Sequence, residues 1–203
     1  MSLEISFEKR YVLIYSLIVA TTHYIISKIN NIFGEVFSSI WAIDVIVLIM
    51  VLLVVSLFDR NQKERIALGF LYIKQPFEKG DKWIVKDKRI TKEERESLIK
   101  ELTNISNAHF FSNYYNKVKK TASVIAKNSE YCVIRDITLV LFFISIFTII
   151  LTIVCNGYFW KEIIASCLAY LIGVVSCRKK SNDFVCQIIV EYKNLEEVIK
   201  DEN

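Results

Sequence analysis

The sequence predicts an all-α membrane protein, its four transmembrane helices set as two hairpins around a helical cytoplasmic segment. Three observations carry that prediction. Hydrophobic residues make up 53% of the 203-residue chain, above the roughly 45–50% apolar content of soluble domains. The excess is gathered into four blocks separated by strongly charged stretches, as happens when hydrocarbon and water each select their own residues. One proline and five glycines leave little turn-forming material for an all-β or loop-rich fold.

The blocks follow in order. Tyr11 to Ser27 is uncharged and lies between Arg10 and Lys28. Val36 to Phe58 holds a single charge, Asp44, and ends at Asp59-Arg60. Ile137 to Cys155 is uncharged, and Tyr158 to Cys177 carries Lys161 and Glu162 near its start and closes on Arg178-Lys179-Lys180. At 1.5 Å per residue, about 20 residues cross a ~30 Å hydrocarbon core. The first block is short by that measure, so a crossing helix there extends through Ile29 with Lys28 snorkelling. The third block lacks the polar face that a surface helix of a soluble bundle needs. No small-x-small cleavage site follows the first block, which argues against a cleaved leader.

The chain therefore divides into a stub and first hairpin (1–58), a basic segment (59–136), a second hairpin (137–177) and a tail (178–203). Of 26 Lys and Arg, 24 fall in the N-terminal stub, the 59–136 segment and the tail. The positive-inside bias places both termini and the middle segment in the cytoplasm. Asn156-Gly157 is a tight-turn pair, so the second hairpin is close and antiparallel, with Tyr158, Phe159 and Trp160 as an interfacial aromatic belt.

The 59–136 segment holds 17 Lys/Arg against 11 Asp/Glu, a net +6. Thr91 and Glu94 form a capping box, and Leu98, Ile99, Leu102 and Ile105 follow at helical spacing. A second helix starts near Ala108 and presents Phe111, Tyr114, Tyr115, Val118, Ala122 and Ile125 on one side. No Gly or Pro lies between His109 and Asp136, so this helix is expected to run on into the third block. Between 69 and 90, Pro76 and Gly80 punctuate the runs Phe70–Ile73 and Trp83–Val85, which fit short strands or irregular chain. Two readings of the basic charge stand side by side. It is the solvated, lipid-facing surface usual in cytoplasmic loops, or it docks an acidic protein partner, a nucleotide or a nucleic acid through Phe110, Phe111, Tyr114 and Tyr115 beside Lys117, Lys119 and Lys120. In the tail, Phe184, Ile188, Ile189, Tyr192, Leu195 and Val198 mark an amphipathic helix. It packs on the 91–127 helices, a second subunit or another protein.

Ionisable groups inside a span are costly and seek partners or water. Counting from the cytoplasmic ends, His23 lies about 18 Å deep in the first span and Asp44 about 21 Å deep in the second. They are expected to form a buried polar pair, which locks the hairpin or lines a proton path. Ala165, Ala169 and Gly173 form a small-residue ladder that, with Ser145, Thr148 and Thr152, favours close helix packing and a homo-oligomer. Asp59 and Arg60 stand at matching depth to Arg135 and Asp136, either paired across the hairpins or serving as interfacial anchors. No phosphate loop, zinc motif or nucleophile elbow occurs. Five scattered cysteines make no metal site, so neither cofactor nor enzymatic activity is expected.

The stretch Asn128-Ser129-Glu130-Tyr131-Cys132-Val133-Ile134-Arg135-Asp136 entering the third span, together with the overall layout, resembles small four-span bacterial membrane proteins of anti-phage defence systems. These include the membrane component of the Kiwa system and the membrane effectors of cyclic-nucleotide signalling. The abundance of Ile, Asn and Lys fits an AT-rich bacterial gene. The resemblance implies an oligomer of the bacterial inner membrane that senses infection, recruits a soluble partner or permeabilises the bilayer. A small channel or transporter and a membrane anchor or scaffold are the other classes left open.

Overall fold

A computed structural model of the chain describes residues 16, 19–21, 23–24, 27–29, 57–69, 89–102, 106–154 and 159–201. Among these residues every regular element is a helix, and two helices are long and apolar enough to cross a membrane.

Helix α1 (Arg60–Leu68) begins at a reciprocal cap. The Asp59 carboxylate accepts the Gln62 amide N–H at 2.8 Å, and the Gln62 side chain accepts the Asp59 N–H at 3.0 Å. Two otherwise orphaned donors are thereby satisfied. Gly69 closes the helix at φ +85°, a conformation that side-chain-bearing residues resist. Helix α2 (Lys92–Leu102) starts after Thr91, whose carbonyl accepts the Arg95 N–H at 3.1 Å.

The expected helix from Ala108 into the third block is interrupted twice. Helix α3 (Asn107–Phe110) passes into a π turn (Phe111–Tyr115), then into α4 (Asn116–Val118). The Asn116 N–H bonds back to the Phe111 carbonyl, the wider ring of a π turn. The chain then breaks at Lys119–Thr121 and restarts as α5 (Ala122–Val154, 33 residues). These interruptions change which residues face inward. Phe110, Tyr114 and Val118 are buried at steps of four, and Val124 replaces Ala122, which is exposed.

Helix α6 (Trp160–Asp201) runs unbroken for 42 residues. At 1.5 Å per residue it is about 63 Å long, twice a hydrocarbon core. The expected boundary between residues 177 and 178 falls inside it. The runs Phe70–Ile73 and Trp83–Val85 and the Asn156-Gly157 turn lie outside the described residues.

α5 and α6 are antiparallel, and their seam changes chemistry along its length. Toward the Val154–Trp160 end the contacts are small and polar: the Thr148 and Ser166 hydroxyls are 3.0 Å apart. Gly173 faces Thr138 so closely that an added Cβ would sit 2.9 Å from the Thr138 hydroxyl. The outer faces of this half are apolar and open, with Ile150, Ile153, Leu168, Leu171, Ile172 and Val175 all exposed. Only 28% and 17% of the most apolar stretches of the two helices are buried within the protein. A soluble core helix would be covered instead.

Past Val175 the apolar face turns inward. Cys177, Phe184, Val185, Ile188 and Ile189 are buried against Leu68, Leu102, Phe110, Tyr114, Val124 and Tyr131. The second half of α6 is thus the axis of a polar-surfaced helical body. A side-chain chain also ties the body: Arg89 donates to Gln187 at 2.6 Å, Gln187 donates to Glu191 at 2.9 Å, and Ser123 donates to Glu191 at 2.6 Å.

Two substitutions test the seam by thermal unfolding in detergent micelles. Gly173→Leu forces material into the Thr138 contact and is expected to cost about 1–3 kcal/mol. Phe184→Ala removes a core ring and is expected to cost about 3–5 kcal/mol. Wild-type stability of Gly173→Leu would show that the helices do not cross at that point.

Candidate functional site

The region that joins α1 to the long pair gathers several charged side chains. α1 ends against α6, where the Gly69 N–H reaches the Ile66 carbonyl at 3.2 Å and the helix itself supplies few other donors. Two α6 side chains add donors there. The Tyr170 hydroxyl donates to the Ile66 carbonyl at 2.7 Å, and Arg178 Nε donates to the Leu68 carbonyl at 2.8 Å. A cation at a helix C-terminus also meets the negative end of its dipole. Gly69 makes room: a Cβ there would stand 3.0 Å from Arg178 Nη2. On the other side of the joint, the Phe58 and Phe143 rings lie 5.6 Å apart.

Charged groups fill the rest of this joint. Glu64 is buried and accepts from Arg60 Nε at 3.0 Å. The Arg60 guanidinium lies 5.6 Å from the Phe111 ring centre, a cation–π contact. One helix residue thus bridges α1 and the π turn. Arg135 donates to Asp136 at 2.9 Å, with side chains only 12% and 16% exposed. Tyr131 stacks on Phe184 at 6.1 Å, and its buried hydroxyl has no hydrogen-bond partner among the described residues. Burial, with the Glu64 carboxylate adding to it, pushes that hydroxyl well above the ordinary tyrosine range. The phenol therefore stays neutral. Glu64 pairs with Arg60 and Asp136 with Arg135, while Arg178 adds a further positive charge at the end of α1. Among the described residues no group of three His, Cys, Asp or Glu is placed to hold a metal ion.

A second polar contact lies at the far end of α6. Lys28 and Glu162 form an ion pair, Tyr24 donates to the same Glu162 oxygen at 3.0 Å, and the Lys28 ammonium sits 5.5 Å from the Phe159 ring centre. The first apolar block is thereby tied to the start of α6.

The residues singled out from sequence are distributed as follows. His23 is helical and half-buried, and Asp44 lies outside the described residues. Asp59 caps α1, Arg60 pairs with Glu64, and Arg135 pairs with Asp136, so these contacts close locally. Of the small-residue ladder, Gly173 faces α5 while Ala165 is exposed and Ala169 half-buried. Phe110 and Tyr114 are core residues, and Tyr114 donates to Glu101 and packs 4.7 Å from the Tyr192 ring. Tyr115 meets Phe184 edge-on, and Phe111 lies beneath Arg60. Their rings are engaged within the body, whereas Lys117, Lys119 and Lys120 remain exposed. Sequence reasoning missed the Lys28–Glu162 pair, although opposite charges end the first block and begin the fourth. It also missed Tyr170 and Arg178, which act on main-chain carbonyls and leave no pattern in sequence.

Removing the Arg178 donor by Arg178→Met leaves a carbonyl bare and is expected to cost about 1–3 kcal/mol in thermal unfolding. The Glu130–Lys180 contact at 2.7 Å gives a pH test. The hydrogen bond from Lys180 holds the Glu130 carboxyl below its usual range, and the same bond raises the Lys180 ammonium. The Glu130 contribution is complete above about pH 4.3 and fades as pH falls through its lower native value. The Lys180 contribution is complete below about pH 10.4 and fades as pH rises beyond it. The stability lost in Glu130→Gln is expected to stay under about 1 kcal/mol, the pair being partly exposed. That loss is level between those limits and vanishes on acidification, as melting curves of both chains across pH would report.

No protein-family model, curated protein or solved structure matches this chain.

Proposed function

We propose that this chain is a four-span, homo-oligomeric protein of the bacterial inner membrane that serves as a sensor or effector in antiviral defence. It has no enzymatic activity of its own. Both termini and the helical body face the cytoplasm, and the output passes to a cytoplasmic protein partner or to the permeability of the bilayer.

One observation supports this reading above the others: α6 is a single helix whose first half carries an exposed apolar surface and whose second half is the core of the polar body. A rigid element shared by both layers couples them, because neither half can tilt alone. Ion pairing of Lys28 with Glu162 joins the first block to the outer end of that element. A disturbance at the outer leaflet therefore has a mechanical route to the body. The paired charges of the joint suit a connector better than a chemical site.

Expression in a phage-sensitive host tests the proposal. Plaque formation is expected to fall, and Glu162→Ala is expected to relieve the protection while the protein still accumulates in the membrane. Purified chain in liposomes is expected to be silent to dye and ion efflux without infection or a partner. Steady efflux from resting liposomes, with no protection of cells, would reject the defence reading in favour of a channel.

A further inference from the structure

The end of α6 leaves the body with an apolar strip open to water. Leu195, Val198 and Ile199 are 38%, 54% and 50% exposed, although Tyr192, a turn earlier, packs on Tyr114. Beside this strip Lys117, Tyr192, Leu195, Glu196 and Ile199 line a groove of about 250 Å³. One wall carries Lys117, whose ammonium lies 5.0 Å from the Tyr192 ring centre. The other carries the exposed Glu196, while Glu197 pairs with Lys193 at 3.5 Å.

The position of the groove limits what can occupy it. Leu195 lies 20 residues beyond Val175, where the exposed apolar belt ends. That is about 30 Å along the helix, out of reach of a bilayer surface. Walls of opposite sign suit neither a polyanion nor a polycation. They do suit a copy of themselves. Two chains anchored in one membrane meet with the same end up, so a closed dimer has its two-fold axis along the membrane normal and brings equal heights together. Leu195 and Ile199 of one copy then meet their equivalents, and the Lys117 wall of each lies against the Glu196 flank of the other. Tyr192, Leu195 and Ile199 follow the three–four spacing of a parallel helical seam. Membrane anchoring raises the effective concentration, so a short seam suffices.

We propose that the α6 tails of two copies pair in parallel through Leu195 and Ile199, with Lys117 of each copy opposite Glu196 of the other. This rests on the reading of the chain as a membrane homo-oligomer.

The test uses the full chain in native membranes, with the photo-reactive residue benzoylphenylalanine placed at 199 or at 165. Irradiation is expected to give a two-copy band from 199. Lys117→Glu is expected to abolish that band. The double variant Lys117→Glu/Glu196→Lys is expected to restore it, and an unchanged melting temperature of Lys117→Glu in micelles separates lost pairing from lost folding. A two-copy band from 165 but not 199 would overturn tail pairing and leave the oligomer standing. Absence of any two-copy band at either position, with a single-chain mass in micelles, would overturn both. Crosslinks from 199 only to other proteins would assign the groove to a partner and overturn the proposal.

Discussion

Among the described residues, α1 and the π turn are built against the seam between α5 and α6. α1 ends on it through Tyr170 and Arg178, and the π turn lays Tyr115 on it through Phe184. On the proposed reading of the chain as a membrane protein, the two halves of the seam hold for different reasons. In hydrocarbon there is no hydrophobic drive between helices, so contact depends on close packing and hydroxyls. Thr138, Gly173, Thr148 and Ser166 supply these. In water, apolar burial supplies the drive, and Phe184, Val185, Ile188 and Ile189 take over. The change between the two sets falls near Cys177, where the exposed apolar belt gives way to the buried core.

Much of this was legible from residue order. The absence of charge from Ile137 to Cys155 foretells the apolar half of α5, and the spacing of Phe184, Ile188 and Ile189 foretells the buried face of the tail. The continuity of α6 was not read from residue order: no Gly or Pro follows Gly173, but the basic cluster at 178–180 set a boundary there. The π turn was not legible. Helical spacing from Phe111 onward looked regular, and only the packing of Phe110 and Tyr114 against α6 selects the shifted register. The candidate site was legible only in its charges. Asp59, Arg60, Arg135 and Asp136 all stand at the joint, but their partners are set by local helix geometry. The carbonyls that Tyr170 and Arg178 satisfy belong to the main chain, which every sequence shares.

The joint also explains why charge is tolerated so near an apolar layer. A single buried carboxylate is costly, and Glu64 would be one without Arg60. Arg135 and Asp136 neutralise each other at adjacent positions. Arg60 with Glu64 and Arg135 with Asp136 each meet a neighbour along the same helix, which lowers the cost of burying them. Between helices the joint combines the neutral Tyr170 donor with the Arg178 and Arg60 cations.

The Gly173–Thr138 contact is a close approach between α5 and α6, and it divides α6 into unequal arms. From Gly173 the helix extends about 20 Å to Trp160 and about 42 Å to Asp201. A tilt of about 10° about that point moves the short arm by about 3 Å and the long arm by about 7 Å, from the same 1.5 Å rise. Displacement grows roughly twofold from one end to the other, at the expense of force. Any pivot of α6 about this side-chain-free residue would therefore carry a lever ratio fixed by its place along the rod.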